Sequence, residues 1–287
     1  MGAFLLRVVR ILLYLSLTLP LMVVQALAIR FHPPASQKLP SFYHRTCCRI
    51  MGFRLEVLGT PSERRPTLFV GNHVSYLDIT VFGAVVPGSF VAKAEVRSWP
   101  LFGWLARLQK TVFVDRQVRS TQQQRDAIAD RLSEGGSLIL FPEGTSGDGN
   151  RVLPFKSSLF SVAAFEDQSG PLTVQPVSIT YVKLDGMPMG RGFRPFFAWY
   201  GDMEMAPHLW TVLGLGSATI CVEFHAPVTL TQFGSRKALA QHCEKVIAEG
   251  VSVALSGRRT ARSELLPNSP VETTEQAAAM RETAPLS

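Results

Sequence analysis

Charged residues are scarce in this chain of 287 residues: they make up 18%, whereas hydrophobic residues make up 46%. Soluble domains carry about 25% charged residues, so the composition is unusually apolar. Lysine and arginine still outnumber aspartate and glutamate by 29 to 22, which gives a formal charge of +7. Because no zinc-finger spacing and no long basic run accompanies that charge, a membrane surface is favoured over a nucleic acid as the anionic partner.

Cysteine is equally scarce. The four cysteines are Cys47, Cys48, Cys221 and Cys243, and they include an adjacent pair but no Cys-x-x-Cys spacing. This usage predicts reduced thiols in a reducing compartment. No grouping of histidine, cysteine and carboxylate has the spacing of a metal site, so no metal is expected.

Two common motifs of catalysis and nucleotide binding are also missing. The segment Gly144–Asn150 is rich in glycine, but it lacks the lysine and hydroxyl residue that complete a phosphate-binding loop. A nucleophile elbow needs glycine two residues after the serine, and here Asp148 stands two residues after Ser146. Nucleotide binding and serine hydrolysis are therefore poorly supported.

Long apolar runs are absent except at the start of the chain. Between Arg10 and Arg30 lie 19 residues without a charge, enough for about 28 Å of helix and thus close to the thickness of a bilayer core. A spanning helix, a cleaved signal peptide and a segment bent at Pro20 within one leaflet all fit. More basic residues follow this run than precede it, which favours a cytoplasmic body. We predict residues 1–32 as a membrane anchor.

Behind this segment, short apolar runs alternate with amphipathic stretches, as in an α/β protein whose helices cover a mixed sheet. Residues 33–256 are predicted as one domain, and residues 257–287, rich in Thr, Glu, Pro and Ala, as a disordered tail. Pro176 interrupts one long run and predicts an edge strand or a bulge, because proline lacks the ladder donor. The predicted strands are Arg54–Leu58, Thr67–Val70, Ser89–Ala92, Thr111–Val114, Ser137–Phe141, Thr173–Val182, Phe196–Tyr200 and Thr219–His225, with a helix at Gln122–Glu134.

The stretch LFVGNHVSYLDITVF, residues 68–82, raises a histidine and an aspartate at the end of a buried strand. His73 and Asp78 can meet if His73 precedes a helix and Asp78 lies in its first turn, with Ser75 as the N-cap. Two readings remain open. Asp78 either binds the free amides of the first turn, as in a capping box, or orients His73 for proton transfer.

Four stretches in order, NHVSYLD, VFVDR, FPEGTS and QPVSI, resemble the four motifs of the glycerolipid acyltransferase family, which includes 1-acylglycerol-3-phosphate acyltransferase. The resemblance covers roughly residues 50 to 250. It implies membrane-binding helices at the N-terminus and catalysis by the His and Asp of the first motif. It also implies that the arginine of the second motif and the Glu-Gly-Thr of the third bind the acyl acceptor. The residues that match this acceptor site are Arg116, Glu143, Gly144 and Thr145.

The chemistry of such a transfer suits these residues. An acyl thioester, carried by acyl carrier protein or coenzyme A, is already activated, so neither a covalent nucleophile nor a cofactor is expected. His73 would take the proton of the acceptor hydroxyl, and Asp78 would hold the imidazole in the right tautomer. Asn72 and Ser146 are predicted to stabilise the oxyanion or to position these groups.

One departure bears on the acceptor. The family's third motif usually continues with arginine, a partner for phosphate, where this chain has Ser146. Either Arg116, Arg151 or Lys156 compensates, or the acceptor lacks a phosphomonoester and Asp148 meets a cationic head group.

The longer string FPEGTSGDGNRVLPFKSSLF and the later SRKALAQHCE resemble the bacterial lyso-ornithine lipid O-acyltransferase branch. We therefore predict an enzyme at the cytoplasmic face of the inner membrane that acylates lyso-ornithine lipid. The alternatives are acylation of 1-acyl-sn-glycerol-3-phosphate to phosphatidic acid, action on both acceptors, hydrolysis of a thioester or lipid, and lipid binding without catalysis.

Overall fold

The structure, a computed structural model, describes residues 2–114, 122–168 and 170–257, without the side chains of 122–125. Arg116 lies outside the described residues, as does all but the first residue of the predicted tail. The elements below belong to one unit that extends to Leu255.

Seven helices lie in the described part of the chain. They are α1 Gly2–Phe31, α2 Pro33–Met51, α3 Leu77–Val85, α4 Phe102–Leu108, α5 Gln122–Ser133, α6 Met205–Leu213 and α7 Arg236–Leu255. Helix α2 was missed by sequence reasoning because its segment is rich in proline and polar residues. Two of those prolines occupy its first turn, where no N–H is needed, and Gly52 ends the helix with a φ of 76°.

The described strands are β1 Phe53–Leu58, β2 Thr67–Gly71, β3 Ser89–Lys93, β4 Val112–Val114, β5 Leu138–Leu140, β6 Glu166–Asp167, β7 Gly170–Pro171, β8 Thr173–Leu184, β9 Met187–Pro188, β10 Ala218–Phe224 and β11 Val228–Thr229. The main sheet has the order β1-β10-β8-β2-β5-β3-β4, and β9 and β11 pair with β8. Strands β2, β5, β3 and β4 run parallel to one another, whereas β8 and β10 are antiparallel. The predicted mixed sheet flanked by helices is confirmed.

Apolar clusters cover both faces of this sheet. Along β2, Phe69 belongs to one cluster and Leu68 and Val70 to the other, because successive side chains of a strand point to opposite faces. Leu77 of α3 packs on the first face and Leu239 of α7 on the second. Strand β2 is therefore buried on both faces, and the loop after it leaves the sheet near its centre.

Two local predictions were wrong. The run Phe196–Tyr200 forms no strand; it belongs to a short 3₁₀ turn and a loop whose Trp199 amide donates to the carbonyl of Val74. Pro176 lies on neither an edge strand nor a bulge. Strand β8 is central, and Pro176 falls where its antiparallel neighbour changes from β10, which ends opposite Val177, to β11, which begins opposite Val174.

Helix α1 lies along the rest of the unit. Arg10 donates to the carbonyls of Leu213 and Leu215 at the end of α6, and Gln25 donates to the carbonyls of Ser36 and Leu108. Arg10 and Gln25 are about 22 Å apart along the helix at 1.5 Å per residue. The opposite face of α1 is apolar and exposed, and α1 is, among the described residues, the one helix long and apolar enough to cross a membrane.

Candidate active site

The loop between β2 and α3 brings His73 and Asp78 together. His73 Nδ1 lies 3.0 Å from Asp78 Oδ2, and the same oxygen accepts the backbone N–H groups of Val74 at 2.6 Å and Ser75 at 2.9 Å. Asp78 is completely buried. The two readings of the sequence are therefore compatible, because one carboxylate oxygen both holds the turn and contacts the imidazole.

The helix begins later than predicted. The N-cap position is Tyr76, and α3 starts at Leu77. Ser75 is buried, and its hydroxyl has no partner within the described part of the chain. The aspartate thus organises the turn without a capping serine.

A tyrosine completes the environment of this aspartate. The hydroxyl of Tyr181, on β8, donates to Asp78 Oδ1 at 3.0 Å. Burial, together with the charge of Asp78, raises the pKa of Tyr181 well above its usual value, so the phenol keeps its proton and remains a donor. Sequence reasoning missed Tyr181, although a phenol in a buried strand signals the need for a polar partner.

The imidazole of His73 is held on one face and open at another. Its ring stacks on Phe141 with centroids 4.3 Å apart and planes at 18°, and its side chain is 21% exposed. Since Nδ1 contacts Asp78, Nε2 is the nitrogen left for a substrate. The pair is therefore oriented by protein on one side and accessible on the other.

Glu143 holds the third-motif loop to the first. Its Oε1 accepts the N–H of His73 at 2.9 Å, and its Oε2 accepts the N–H of Leu153 at 3.2 Å. Burial raises the pKa of Glu143 to about 8, against the effect of these two hydrogen bonds. Both oxygens of Glu143 accept from backbone amides, which supports a positioning role; contact of Glu143 with the acceptor stays a prediction.

The rest of the third motif packs against the first. Gly144 has a φ of 75°, which favours glycine, and Thr145 is exposed beside it. The Ser146 hydroxyl donates to the carbonyl of Trp199, and the Gly147 N–H donates to the carbonyl of His73 at 2.9 Å. The Ser146 hydroxyl is thus already bonded, which supports positioning over the alternative of an oxyanion donor.

Asn72 has a similar role. Its side-chain nitrogen donates to the carbonyl of Ile179 at 2.9 Å, and its oxygen accepts the Ile179 N–H at 2.8 Å. These two hydrogen bonds to β8 fix the loop that carries His73. Of the two roles predicted for Asn72, positioning fits the geometry.

Asp148 lies in a turn with Asn150, and the structure adds an arginine that sequence reasoning missed. Both carboxylate oxygens of Asp148 accept hydrogen bonds from Asn150, whose Oδ1 in turn accepts from Arg194 Nη1 at 2.9 Å. Arg151 and Lys156 are exposed in the segment that follows. The signal that could have drawn attention to Arg194 is its place in the basic and aromatic string GRGFRPFF.

A cavity of about 450 Å³ is lined by helices α1, α2, α3, α4 and α6 and by strand β3. Its lining is mostly apolar and includes Tyr76, Leu77 and Phe90. Phe90 stacks on Phe141, which stacks on His73, so the cavity approaches the imidazole from behind this phenylalanine pair. Volumes of 300 to 1,000 Å³ are typical of ligand pockets.

Within the described residues, no group of three or more His, Cys, Asp or Glu side chains could hold a metal ion. The four cysteines are buried. The expectation of a reaction without metal stays a prediction.

The fold and site define an α/β enzyme with a buried carboxylate and an accessible histidine beside an apolar cavity. The acyltransferase family model matches residues 54–180. The chain is 45% identical over 247 residues to the lyso-ornithine lipid O-acyltransferase of Brucella abortus, covering 85% of this chain and 92% of that protein. It is 42% identical over 250 residues to the Rhizobium meliloti enzyme of the same name, covering 86% of each. The chain therefore belongs to the acyltransferase family, and it is an acyltransferase.

Two further proteins are similar. The 1-acyl-sn-glycerol-3-phosphate acyltransferase of Neisseria meningitidis is 32% identical over 208 residues, covering 70% of this chain and 77% of that protein. The crystal structure of the 1-acyl-sn-glycerophosphate acyltransferase PlsC from Thermotoga maritima has a TM-score of 0.63 at 24% identity, covering 87% of this chain and 94% of that one. The latter comparison supports the fold.

Proposed function

We propose that this protein transfers a fatty acyl group from an acyl thioester to the hydroxyl of lyso-ornithine lipid, which yields ornithine lipid. The observation that carries the chemistry is the contact of His73 Nδ1 with the buried Asp78. The observation that supports the acceptor is the identity of up to 45%, over most of the chain, to enzymes of that name.

In the proposed reaction, His73 Nε2 takes the proton of the acceptor hydroxyl as its oxygen attacks the thioester carbonyl. Asp78 keeps the proton of the neutral ring on Nδ1 and stabilises the imidazolium that forms. Collapse of the tetrahedral intermediate then expels the thiolate, which recovers a proton. Tyr181 and two backbone amides fix the aspartate throughout, so the pair needs little reorganisation.

The acyl donor is proposed to be a thioester of acyl carrier protein or coenzyme A, with no cofactor and no metal. Both carriers are anionic, and the formal charge of +7 favours their approach. The apolar cavity supports a place for one acyl chain, since burial of methylene groups contributes about 0.8 kcal/mol each.

We infer that α1 lies in the membrane interface at the cytoplasmic side of the inner membrane. Arg10 and Gln25 bind the rest of the protein near both ends of the helix, so a crossing would carry the body into the bilayer. Leu12, Leu19 and Val23 on its outer face are more than half exposed, which suits contact with acyl chains.

Acylation of 1-acyl-sn-glycerol-3-phosphate is the second candidate, supported by 32% identity to the enzyme from Neisseria meningitidis. The serine at position 146 disfavours it. The Ser146 hydroxyl donates to the carbonyl of Trp199, so position 146 itself supplies no guanidinium for a phosphate.

The test uses full-length protein in membranes, labelled acyl carrier protein thioester or acyl-CoA, and each of the two acceptors in turn. Wild type should acylate lyso-ornithine lipid, and His73→Ala should lower the rate by about 10²- to 10⁴-fold. His242→Ala, on α7, is the matched control and should stay active. Full activity of His73→Ala would reject the base, and acyl release to water without an acceptor would indicate a hydrolase.

A further inference from the structure

Arg194 is a buried cation without a carboxylate partner. It is only 9% exposed, and within the described residues it forms no ion pair. One guanidinium nitrogen, Nη1, donates to Asn150, whereas Nε is buried and has no hydrogen-bond partner in that part of the chain. A buried cation without a counter-charge is costly, so an anion bound beside the guanidinium would offset part of that cost.

The position of Arg194 connects it to the reacting groups. A Cβ atom built on Gly149 would lie 3.2 Å from the Val74 side chain and 3.8 Å from Arg194 Cβ. Val74 follows His73, so the arginine flanks the loop that carries the proposed base. Trp199, five residues after Arg194, fixes this arrangement through its N–H bond to Val74.

The charges around Arg194 are of both signs. Asp148 and Arg194 bind the same asparagine, and the carbonyl of Arg191 also accepts from it. Burial lowers the pKa of Arg194, the charge of Arg191 lowers it further, and Asp148 opposes them. Burial alone would raise the pKa of Asp148, but the bonds from Asn150 and the charge of Arg151 bring it below its usual value. A carboxylate and a guanidinium that form no ion pair with each other thus bind the same asparagine.

We propose that Arg194 and Asp148 form a head-group site for an acceptor that carries both a carboxylate and an ammonium group. The guanidinium binds the carboxylate, and Asp148 binds the ammonium. This inference rests on the proposed function, because an amino acid acylated on its α-nitrogen keeps a free carboxylate, and ornithine adds a side-chain amine. A phosphate monoester offers no cation to Asp148.

The experiment compares two acceptors on full-length protein: lyso-ornithine lipid and the same lipid with its carboxylate converted to a carboxamide. In wild type the carboxamide should raise KM by about 10- to 100-fold, the range for loss of a charge-assisted hydrogen bond. Arg194→Gln should raise KM for the carboxylate lipid by a similar factor and leave kcat within a few fold. In the Arg194→Gln variant, KM should rise little further when the carboxamide lipid replaces the carboxylate lipid.

Three controls make the result specific. Arg194→Lys keeps the charge but loses the fork, so its KM should fall between those of wild type and Arg194→Gln. Arg54→Gln, an exposed arginine on β1, should leave KM unchanged. Asp148→Asn should raise KM for the free amine and respond less than wild type when the amine is acetylated.

The head-group site would be overturned if Arg194→Gln raised KM equally for the carboxylate and carboxamide lipids, or if it left KM unchanged. If that variant does not fold, wild type decides alone: equal use of carboxylate and carboxamide lipids also overturns the site. Transfer to lysophosphatidate but not to lyso-ornithine lipid would show instead that the proposed function is wrong, and this inference with it.

Discussion

At the scale of single residues, the site depends on one carboxylate with four hydrogen-bond partners. Asp78 accepts from His73, Val74 and Ser75 through Oδ2 and from Tyr181 through Oδ1. Each partner fixes the carboxylate plane, and the plane fixes the imidazole. Substitutions in this group should therefore change the rate more than they change substrate binding.

Asp78→Asn should lower kcat by about 10²- to 10⁴-fold, because an amide at this position either donates to the imidazole or leaves Nδ1 poorly oriented. The measurement is kcat at saturating acceptor together with a melting curve. A loss of activity that merely follows a large fall in melting temperature would mean that Asp78 is needed for the turn and not for the chemistry.

Tyr181→Phe removes one hydroxyl from the buried pair while it keeps the ring stacked on Phe197. We expect kcat to fall by about 3- to 30-fold, with KM nearly unchanged, and stability to fall by about 1–3 kcal/mol because Asp78 Oδ1 loses its donor. The exposed Tyr200→Phe is the matched control. A pH–rate profile of Tyr181→Phe identical to that of wild type, with an unchanged kcat, would argue against a positioning role.

At the scale of elements, periodicity and order along the chain predicted the sheet, because its strands are short apolar runs separated by turn residues. The strand predicted at Phe196–Tyr200 was wrong because these residues form a loop in which the Trp199 N–H donates to the Val74 carbonyl. Helix α2 was not predicted because its burial depends on contact with α1 and α3, which the local sequence does not encode. Arg194 and Tyr181 were missed for the same reason: their partners lie 44 and 103 positions away.

The two faces of α1 should respond differently to substitution. Leu12→Asp, Leu19→Asp and Val23→Asp together place charges on the exposed face and should release the protein from membranes, with the fold retained. Flotation with vesicles and circular dichroism of the released fraction measure these effects. Arg10→Leu is the contrasting variant: it should lower stability, because carbonyls of Leu213 and Leu215 lose their donor, but leave the protein on membranes. Retention of the triple variant on membranes would contradict the interfacial arrangement.

At the scale of the whole molecule, two buried groups with opposite pKa shifts should shape stability against pH. Burial raises the pKa of Glu143 to about 8 from 4.5 and lowers that of His44 to about 4 from 6.5. Between pH 4.5 and 8 Glu143 holds more proton in the folded state than in the unfolded state. Its contribution to the free energy of unfolding therefore falls as pH rises. Between pH 4 and 6.5 His44 holds more proton in the unfolded state than in the folded state. Its contribution to the free energy of unfolding therefore rises with pH.

The two contributions cancel between pH 4.5 and 6.5, and above pH 6.5 only the Glu143 contribution changes. Stability should therefore fall by up to about 2 kcal/mol between pH 6.5 and 8, at about 1.4 kcal/mol per unit. Glu143→Gln should remove this fall and leave a rise from pH 4 to 6.5, whatever its absolute stability. Denaturant melts across this range, with the exposed Glu63→Gln as control, give the slopes. If the stability of Glu143→Gln changed with pH above 6.5 as steeply as that of wild type, Glu143 would already be ionised there, held by the amides of His73 and Leu153.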